Sequence, residues 1–541
     1  MRIAIYGLPS SGKTTLIQSI PNITAVAGRE ELDRLSNGKF SDMEEDDKRK
    51  IRVLYTKYLL ELPDKVIVSD GHYSFLDAVV FTPDDGDVYD VFFYLYCKPA
   101  ELLQRFALSE KNKKYCDLSE ETLKQWQDFE IESLRKECHI RNKDFYVISD
   151  NDRNTSFYDF FDKVINGYSV VKNAKIIADK IGNRFPNEKY KELCIVDGDK
   201  TVIEQDSFRF CYDGKTRVFD GDFYSGYQSY LFSQEVAFIV SIPESINEIQ
   251  LNNDVWNMIK DRPYVILSSG ITIVWKRLQD NFGFTEVIAD PIISADCKYF
   301  IVKLLKEKGY EISAFGDSKN DYYMLMEADQ GYLKIGKRIS RSLANTDLTG
   351  INLIYKKQPY FLTEEATQEV LDDIRICKSN SGINGHRLAA AHLRLGQKLG
   401  EKIAMVYPSK NTAVLILDRG GRFFGDGLYS TFGGVLYPFN PSKEELPQIE
   451  QERVIIVDSV INTGKSIKDI IRRLQENDTK REIIIASNVI QQTALELLSE
   501  YKLFVVRASS NSFVGRRQAT QKGKSGPDTA DRLFNIINRS F

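Results

Sequence analysis

Asp197 and Asp199 stand two residues apart in Asp197-Gly-Asp199-Lys-Thr201, directly after the apolar run from Leu193 to Val196. Paired carboxylates at this spacing suit phosphoryl transfer. The first can attack phosphorus; the second can protonate the leaving oxygen and then activate water. Three later segments supply what such chemistry also needs. Ser268, Ser269 and Gly270 end the run beginning at Tyr264 and offer hydroxyl and backbone donors to a phosphate. Lys298, at the head of a helix-like stretch, can neutralise that phosphate. Asp317 and Asp321 follow another strand-like run and suit Mg²⁺, with Asp197 and Asp199 as further oxygen ligands.

Two more loops have phosphate chemistry. Gly7-Leu-Pro-Ser-Ser-Gly12-Lys13-Thr14 satisfies G-x-x-x-x-G-K-[ST] and lies between a strand-like run, Arg2 to Tyr6, and an apolar-periodic one, Thr15 to Ile20. Gly7 and Gly12 let backbone N–H groups curl around phosphate oxygens, with Thr15 in the same cradle. Lys13 neutralises the β/γ-phosphates of ATP, and the Thr14 hydroxyl holds Mg²⁺. Asp70, in Ser69-Asp70-Gly71-His72, ends the next strand-like run, where it can hold Mg²⁺ or orient an acceptor hydroxyl. The third loop is Val454-IIVDSVINTGKS. Thr463, Gly464, Lys465 and Ser466 open a helical pattern whose N–H groups and hydroxyls can hold a ribose-bound phosphate, and Asp458 can accept from ribose hydroxyls.

All three loops follow apolar runs and precede helix-like segments, an alternation that reads as parallel α/β sheets with ligands at the strand C-terminal ends. The length agrees: 541 residues exceed what one core fills. The expected architecture is three Rossmann-like α/β parallel-sheet domains, over residues 1–167, 168–357 and 358–541, with a small cap near 202–262 in the second. Apolar residues at 42% and charged residues at 28% exclude wholesale disorder. A net charge of −4 gives no support to a nucleic-acid-coating surface. The seven cysteines form no C-x-x-C pair and the four histidines are scattered, which argues against a disulfide framework or a zinc site. With no long apolar run and no signal-like N-terminus, a cytoplasmic protein without membrane association is expected.

The first region, over about 165 residues, resembles small P-loop nucleoside-monophosphate kinases of the adenylate and cytidylate kinase type. That resemblance implies an acceptor-side element at Asp70-Gly71-His72 and a basic lid. Arg105, Lys111, Lys113, Lys114, Arg135 and Arg141 follow in order, and the lid is rich in lysine where the family uses arginine. The second region resembles haloacid-dehalogenase-like phosphatases of the phosphoserine-phosphatase type. The resemblance implies that Asp197 is the nucleophile, Asp199 the general acid/base, Ser268 and Lys298 the phosphate ligands, and Asp317 with Asp321 the rest of the Mg²⁺ site. Aromatics in residues 219–232 suit core packing or a base-stacking surface.

Residues 375–541 resemble type I phosphoribosyltransferases, in particular the uracil branch, through Asp458 to Ser466, Ala413-VLILDRGGRFFGDGL and Gly526-PDTADRLFN. This implies phosphoribosyl pyrophosphate as substrate, Arg419 and Arg422 on pyrophosphate, and Asp528 near the base and ribose. Ser459 replaces the second acid of many members, and Ser510-NSFVGRRQATQKGKS departs from the family's base-recognition segment.

The leading expectation is a multifunctional nucleotide-metabolism enzyme. It would combine ATP-dependent phosphorylation, Mg²⁺-dependent phosphomonoester hydrolysis and phosphoribosyl transfer to a uracil-like base. Its partners are small-molecule nucleotides and bases, and a homo-oligomer through the transferase region is allowed. Two alternatives stand beside it: an end-healing enzyme like polynucleotide kinase-phosphatases, which alone calls for nucleic acid, and a regulator that senses phosphoribosyl pyrophosphate or nucleotides.

Overall fold

The computed structural model describes residues 1–76, 78–149, 155–212, 223–336, 340–343, 346–355, 357, 359–476, 481–510, 519–521, 524–526 and 528–536. Most of the departing segment after Ser510 and the start of the 219–232 stretch lie outside these. The chain forms two compact units, one of Met1–Leu333 with Asn345–Asn352 and the other of Lys334–Ala344 with Leu353–Phe541. The first therefore holds both regions that the sequence reads as separate domains. Among the described residues, no helix is long and apolar enough to cross a membrane.

Each expected sheet is present. The first runs Thr24–Val26, Ile67–Gly71, Arg2–Tyr6, Val91–Tyr96, Asp144–Ser149, all parallel. In the second, Val287–Ala289, Tyr264–Ser268, Glu192–Val196 and Glu311–Gly316 lie side by side, also parallel. The third, in the other unit, runs Tyr360–Phe361, Lys502–Ser509, Glu482–Gln491, Arg453–Ile461, Thr412–Leu417, Val435–Phe439. Central strand residues 3–5, 193–196 and 454–457 are fully buried. Their unbroken apolar runs are what sheets covered on both faces require. Helices supply that cover. In Lys465–Gln475, the buried Ile467, Ile470, Ile471 and Leu474 fall at i, i+3, i+4 and i+7. Each such side chain contributes about 1.5–3 kcal/mol by leaving water.

One helix buries two faces. Glu120–Arg141 begins at Ser119, whose hydroxyl accepts from Thr122 N, and ends at Asn142 in the left-handed region. Leu134 and Cys138 pack into the core of the first sheet. Arg135 and His139 instead meet Asp296 at 3.1 and 2.8 Å, and Glu132 meets Lys319 at 3.3 Å. Arg135, grouped by sequence with the basic lid series, is thus buried against the elements of the second sheet. Arg141 pairs with Asp87 and Glu137. Within 202–262, helix Gly226–Val236 serves the first sheet's edge: Ser225 Oγ accepts from Val147 N at 3.0 Å and Gln228 Nε2 donates to Val147 O at 2.9 Å.

Candidate active sites

Asp197 lies just beyond strand Glu192–Val196, and its N–H donates to Phe315 O of the adjacent strand at 2.8 Å. Helix Ala295–Glu307 starts at Ser294, whose hydroxyl accepts from Cys297 N, and carries Lys298 in its first turn. Lys298 Nζ bridges Asp197 Oδ1 at 2.5 Å and Asp321 Oδ1 at 2.7 Å. Asp321 also closes a capping box with Ser318 at the start of helix Lys319–Glu327. Oxygens of Asp197, Asp317 and Asp321 all lie within 4.8 Å of one another.

Burial and the Asp321 charge raise the Asp197 carboxyl to about 6, with Lys298 opposing. Burial, then Asp321 and Asp197, raise Asp317 well above the carboxylate range. Burial opposes charge on Lys298, but Asp197 and Asp321 together raise it above the ordinary lysine value. Three carboxylates around one ammonium leave a negative surplus, and an all-oxygen donor set of this kind fits a hard divalent cation such as Mg²⁺.

The side chain of Asp199, expected to share the metal, is not among those three. It accepts from Ser207 N at 2.9 Å, and burial, then Asp206, raise it to about 7. A carboxyl poised there can give or take a proton at neutral pH. Ser268 ends its strand, and its hydroxyl accepts from Gly270 N at 3.0 Å. Ser269 is tied to Ile293 O and to Asn320.

At the first sheet, Gly7 and Gly12 have φ of 151° and 95°, which side-chain-bearing residues rarely adopt. Lys13 opens helix Lys13–Ser19, and its Nζ donates to the carbonyls of Gly7 at 2.7 Å and Leu8 at 2.9 Å. Burial lowers it to about 8, with Asp70 and Glu130 pulling the other way. Thr14 and Thr15 are exposed at the mouth of the loop. Asp70 Oδ2 is 3.4 Å from Thr14 Oγ1, and its Oδ1 accepts from Gly28 N at 2.7 Å. Arg105 donates to Ser11 O at 2.9 Å and also lines the cavity beside the loop. A cavity of about 710 Å³ opens beside these residues, with Arg29, Arg52, His72 and Lys111 on its walls. Burial, then Lys13 and Lys111, hold the His72 imidazole well below its usual value, so it is neutral. Lys113 pairs with Glu110 and Lys114 lies over Tyr115, both away from the cavity wall.

In the other unit, strand Arg453–Ile461 runs three residues past Asp458, and burial raises Asp458 to about 7, with a further push from Asp528. A Cβ on Gly421 would stand 2.5 Å from Leu417 O and 3.3 Å from Asp458 Cα, so only glycine lets this loop approach the strand. Gly464, with φ of 72°, caps helix Lys465–Gln475, and Thr463, Lys465 and Ser466 are exposed around it. Asp528 caps helix Thr529–Leu533. Arg419, expected on pyrophosphate, pairs with Asp531 at 2.6 Å, and Arg422 pairs with Asp426 at 3.0 Å. Arg532 is buried and donates to the carbonyls of Cys377, Lys378 and Ile383.

Sequence reasoning missed Glu130 and His392. Buried Glu130 accepts from Ser74 and Tyr94 close to Lys13. His392 Nδ1 is 3.1 Å from Oγ of Ser459, the residue after Asp458, and burial lowers it to about 3. Each stands alone in a helix, where spacing gives no signal.

Residues 431–536 match the uracil phosphoribosyltransferase family. No curated protein matches the chain. Among solved structures, a HAD family hydrolase from Salmonella enterica serovar Typhi is 17% identical, over 30% of this chain and 67% of that one, with a TM-score of 0.23. A phosphoserine phosphatase solved as a phospho-aspartyl intermediate analogue is 18% identical, over 27% and 87%, with a TM-score of 0.22. The xanthine-guanine-hypoxanthine phosphoribosyltransferase of Helicobacter pylori is 17% identical, over 22% and 82%, with a TM-score of 0.19. The family match lies within the second compact unit.

Proposed function

We propose that the chain is a multifunctional enzyme of nucleotide metabolism, with phosphomonoesterase, phosphoribosyltransferase and ATP-dependent kinase sites. The observation that carries the reading is the Asp197–Asp317–Asp321 cluster bridged by Lys298, with Asp199 beside it. Asp197 Oδ attacks phosphorus and the ester oxygen departs, taking a proton from Asp199. Asp199 then draws a proton from water, which attacks the aspartyl phosphate and releases phosphate. Ser268 and Lys298 hold the transferring group. Asp197, Asp317 and Asp321 would hold Mg²⁺, which when bound supplies charge compensation for the phosphoryl oxygens.

In the second unit, Thr463 to Ser466 bind the 5′-phosphate of phosphoribosyl pyrophosphate at a helix N-terminus, and Asp458 accepts from the ribose hydroxyls. Arg419 takes pyrophosphate by exchanging its Asp531 partner, and Asp528 faces base and ribose. The base is uracil-like. The kinase reading rests on the glycine-shaped loop, the buried Lys13 and the cavity beside it. Lys13 moves from the Gly7 and Leu8 carbonyls to ATP phosphates, Gly7, Gly12 and Thr15 line the cradle, Thr14 would hold Mg²⁺, and Asp70 orients the acceptor.

The test is mass spectrometry of the protein with phosphoribosyl pyrophosphate, Mg²⁺ and a panel of bases, with and without ATP. A new nucleotide is expected; its absence from every mixture would remove the transferase. Sharing of one compact unit by the first two sheets favours a second reading, healing of nucleic-acid ends. An oligonucleotide with a 3′ phosphate and a 5′ hydroxyl decides it, since unchanged ends eliminate that reading.

A further inference from the structure

Trp275 lies in the first turn of helix Thr272–Phe282, just after the Ser268-Ser269-Gly270 loop, and is fully buried. Its indole meets two glycines from different loops. A Cβ on Gly198, between Asp197 and Asp199, would stand 2.2 Å from Trp275 Cζ2 and 2.6 Å from Cη2. A Cβ on Gly270 would stand 2.3 Å from Nε1 and 2.6 Å from Cδ1. Both also fall close to Ser268 Oγ, at 2.9 and 3.0 Å. The indole edge, the two glycines and the Ser268 hydroxyl therefore converge on one point. The ring's N–H has no hydrogen-bond partner among the described residues. A buried donor normally finds one, so packing against these loops, not hydrogen bonding, holds the ring.

We infer that Trp275 is a positioning residue for phosphate-ester chemistry at Asp197. Its ring is the spacer that fixes how far the nucleophile loop stands from the Ser268 loop. The inference rests on the phosphatase reading for its kinetic consequence, but the spacing itself can be tested without activity. A smaller side chain lets the Asp197 loop settle toward Ser268, and misplacement by about 1 Å costs on the order of 100-fold in rate. Gly198 is required by the same contact: its neighbour is a rigid ring, which cannot yield as a flexible chain end does.

The full chain is compared with Trp275→Phe, Trp275→Leu, Gly198→Ala and the double variant Gly198→Ala/Trp275→Leu. Hydrolysis of p-nitrophenyl phosphate, inhibition by orthovanadate and thermal unfolding are measured for each. Trp275→Leu is expected to lower kcat by about 100-fold and weaken orthovanadate while KM changes little. Trp275→Phe, which keeps a ring edge, recovers most of the loss. Gly198→Ala lowers the melting temperature in the parent but less in the Trp275→Leu background, because the clash with the ring is gone and only the 2.9 Å approach to Ser268 Oγ remains. The inference is overturned by wild-type kcat in Trp275→Leu, by a Phe variant as poor as the Leu variant, or by additive melting shifts. A wild-type chain that cleaves no phosphomonoester would remove the phosphatase reading instead; the melting temperatures of the four proteins would then decide the spacing by themselves.

Discussion

Lys13 and Lys298 are both nearly inaccessible, at 5% and 0% exposure, and both sit in the first turn of a helix that follows a parallel strand and loop. Their charges are treated in opposite ways. Lys13 rests on two backbone carbonyls, and burial lowers it to about 8 despite Asp70 and Glu130. Lys298 rests on two carboxylates, and Asp197 with Asp321 outweigh burial to raise it. A buried charge must be compensated. At Lys298 the compensation is built in and overshoots, leaving a carboxylate surplus suited to a divalent cation. At Lys13 the two carboxylates do not outweigh burial, and the phosphates of the proposed ligand would supply the rest. On the proposed reading, one site receives a cation and the other an anion.

The largest expected effect comes from removing the nucleophile. Asp197→Asn should lower phosphomonoester hydrolysis by about 10⁴-fold, as loss of a covalent catalyst typically does, read by steady-state assay. Next, Lys298→Met leaves Asp197 and Asp321 buried and unpaired. It should lower the stability of the first unit by about 3–5 kcal/mol in denaturant titration, and Mg²⁺ should restore part of the loss.

Lys13→Met provides the contrast. It removes an under-compensated charge, so its melting temperature should stay level or rise, while ATP affinity by calorimetry falls about 10–100-fold. A fall in stability like that of the Lys298 variant would dissolve the comparison. The smallest effect extends it to a buried carboxylate with no lysine. Burial raises Asp458 to about 7, and a protonated acid accepts poorly from ribose hydroxyls. Affinity for phosphoribosyl pyrophosphate should therefore rise with pH through about 7 and level off above it. The change below 7 is at most about tenfold per pH unit, and Asp458→Asn should lack the step.

The sheets were legible because their strands are short, unbroken apolar runs bounded by glycine-bearing loops. Asp197, Lys298, Asp317 and Asp321, more than 120 residues apart at the extremes, lie together in the structure, while the side chain of Asp199, called with them from its D-x-D spacing, stands apart on Ser207. What stayed hidden depends on approach across the fold. Arg135 reads as one of the basic lid series, yet Arg135 and His139 meet Asp296 and Glu132 meets Lys319, partners more than 150 residues away. That docking is why one compact unit holds two sheets that the sequence reads as separate domains. Trp275 looks like ordinary core until the two glycines it touches are seen. The resting place of Lys13 on its own loop is likewise a conformational fact that no motif records.

The most direct test measures p-nitrophenyl phosphate hydrolysis with Mg²⁺ in four full-length proteins: wild type, Asp197→Asn, Lys298→Met and Lys13→Met. Activity is expected in the wild type and in Lys13→Met, with the other two reduced by several orders of magnitude. Hydrolysis by Asp197→Asn at the wild-type rate, or its loss in Lys13→Met, would contradict the assignment of cation-receiving chemistry to one lysine and anion-receiving chemistry to the other.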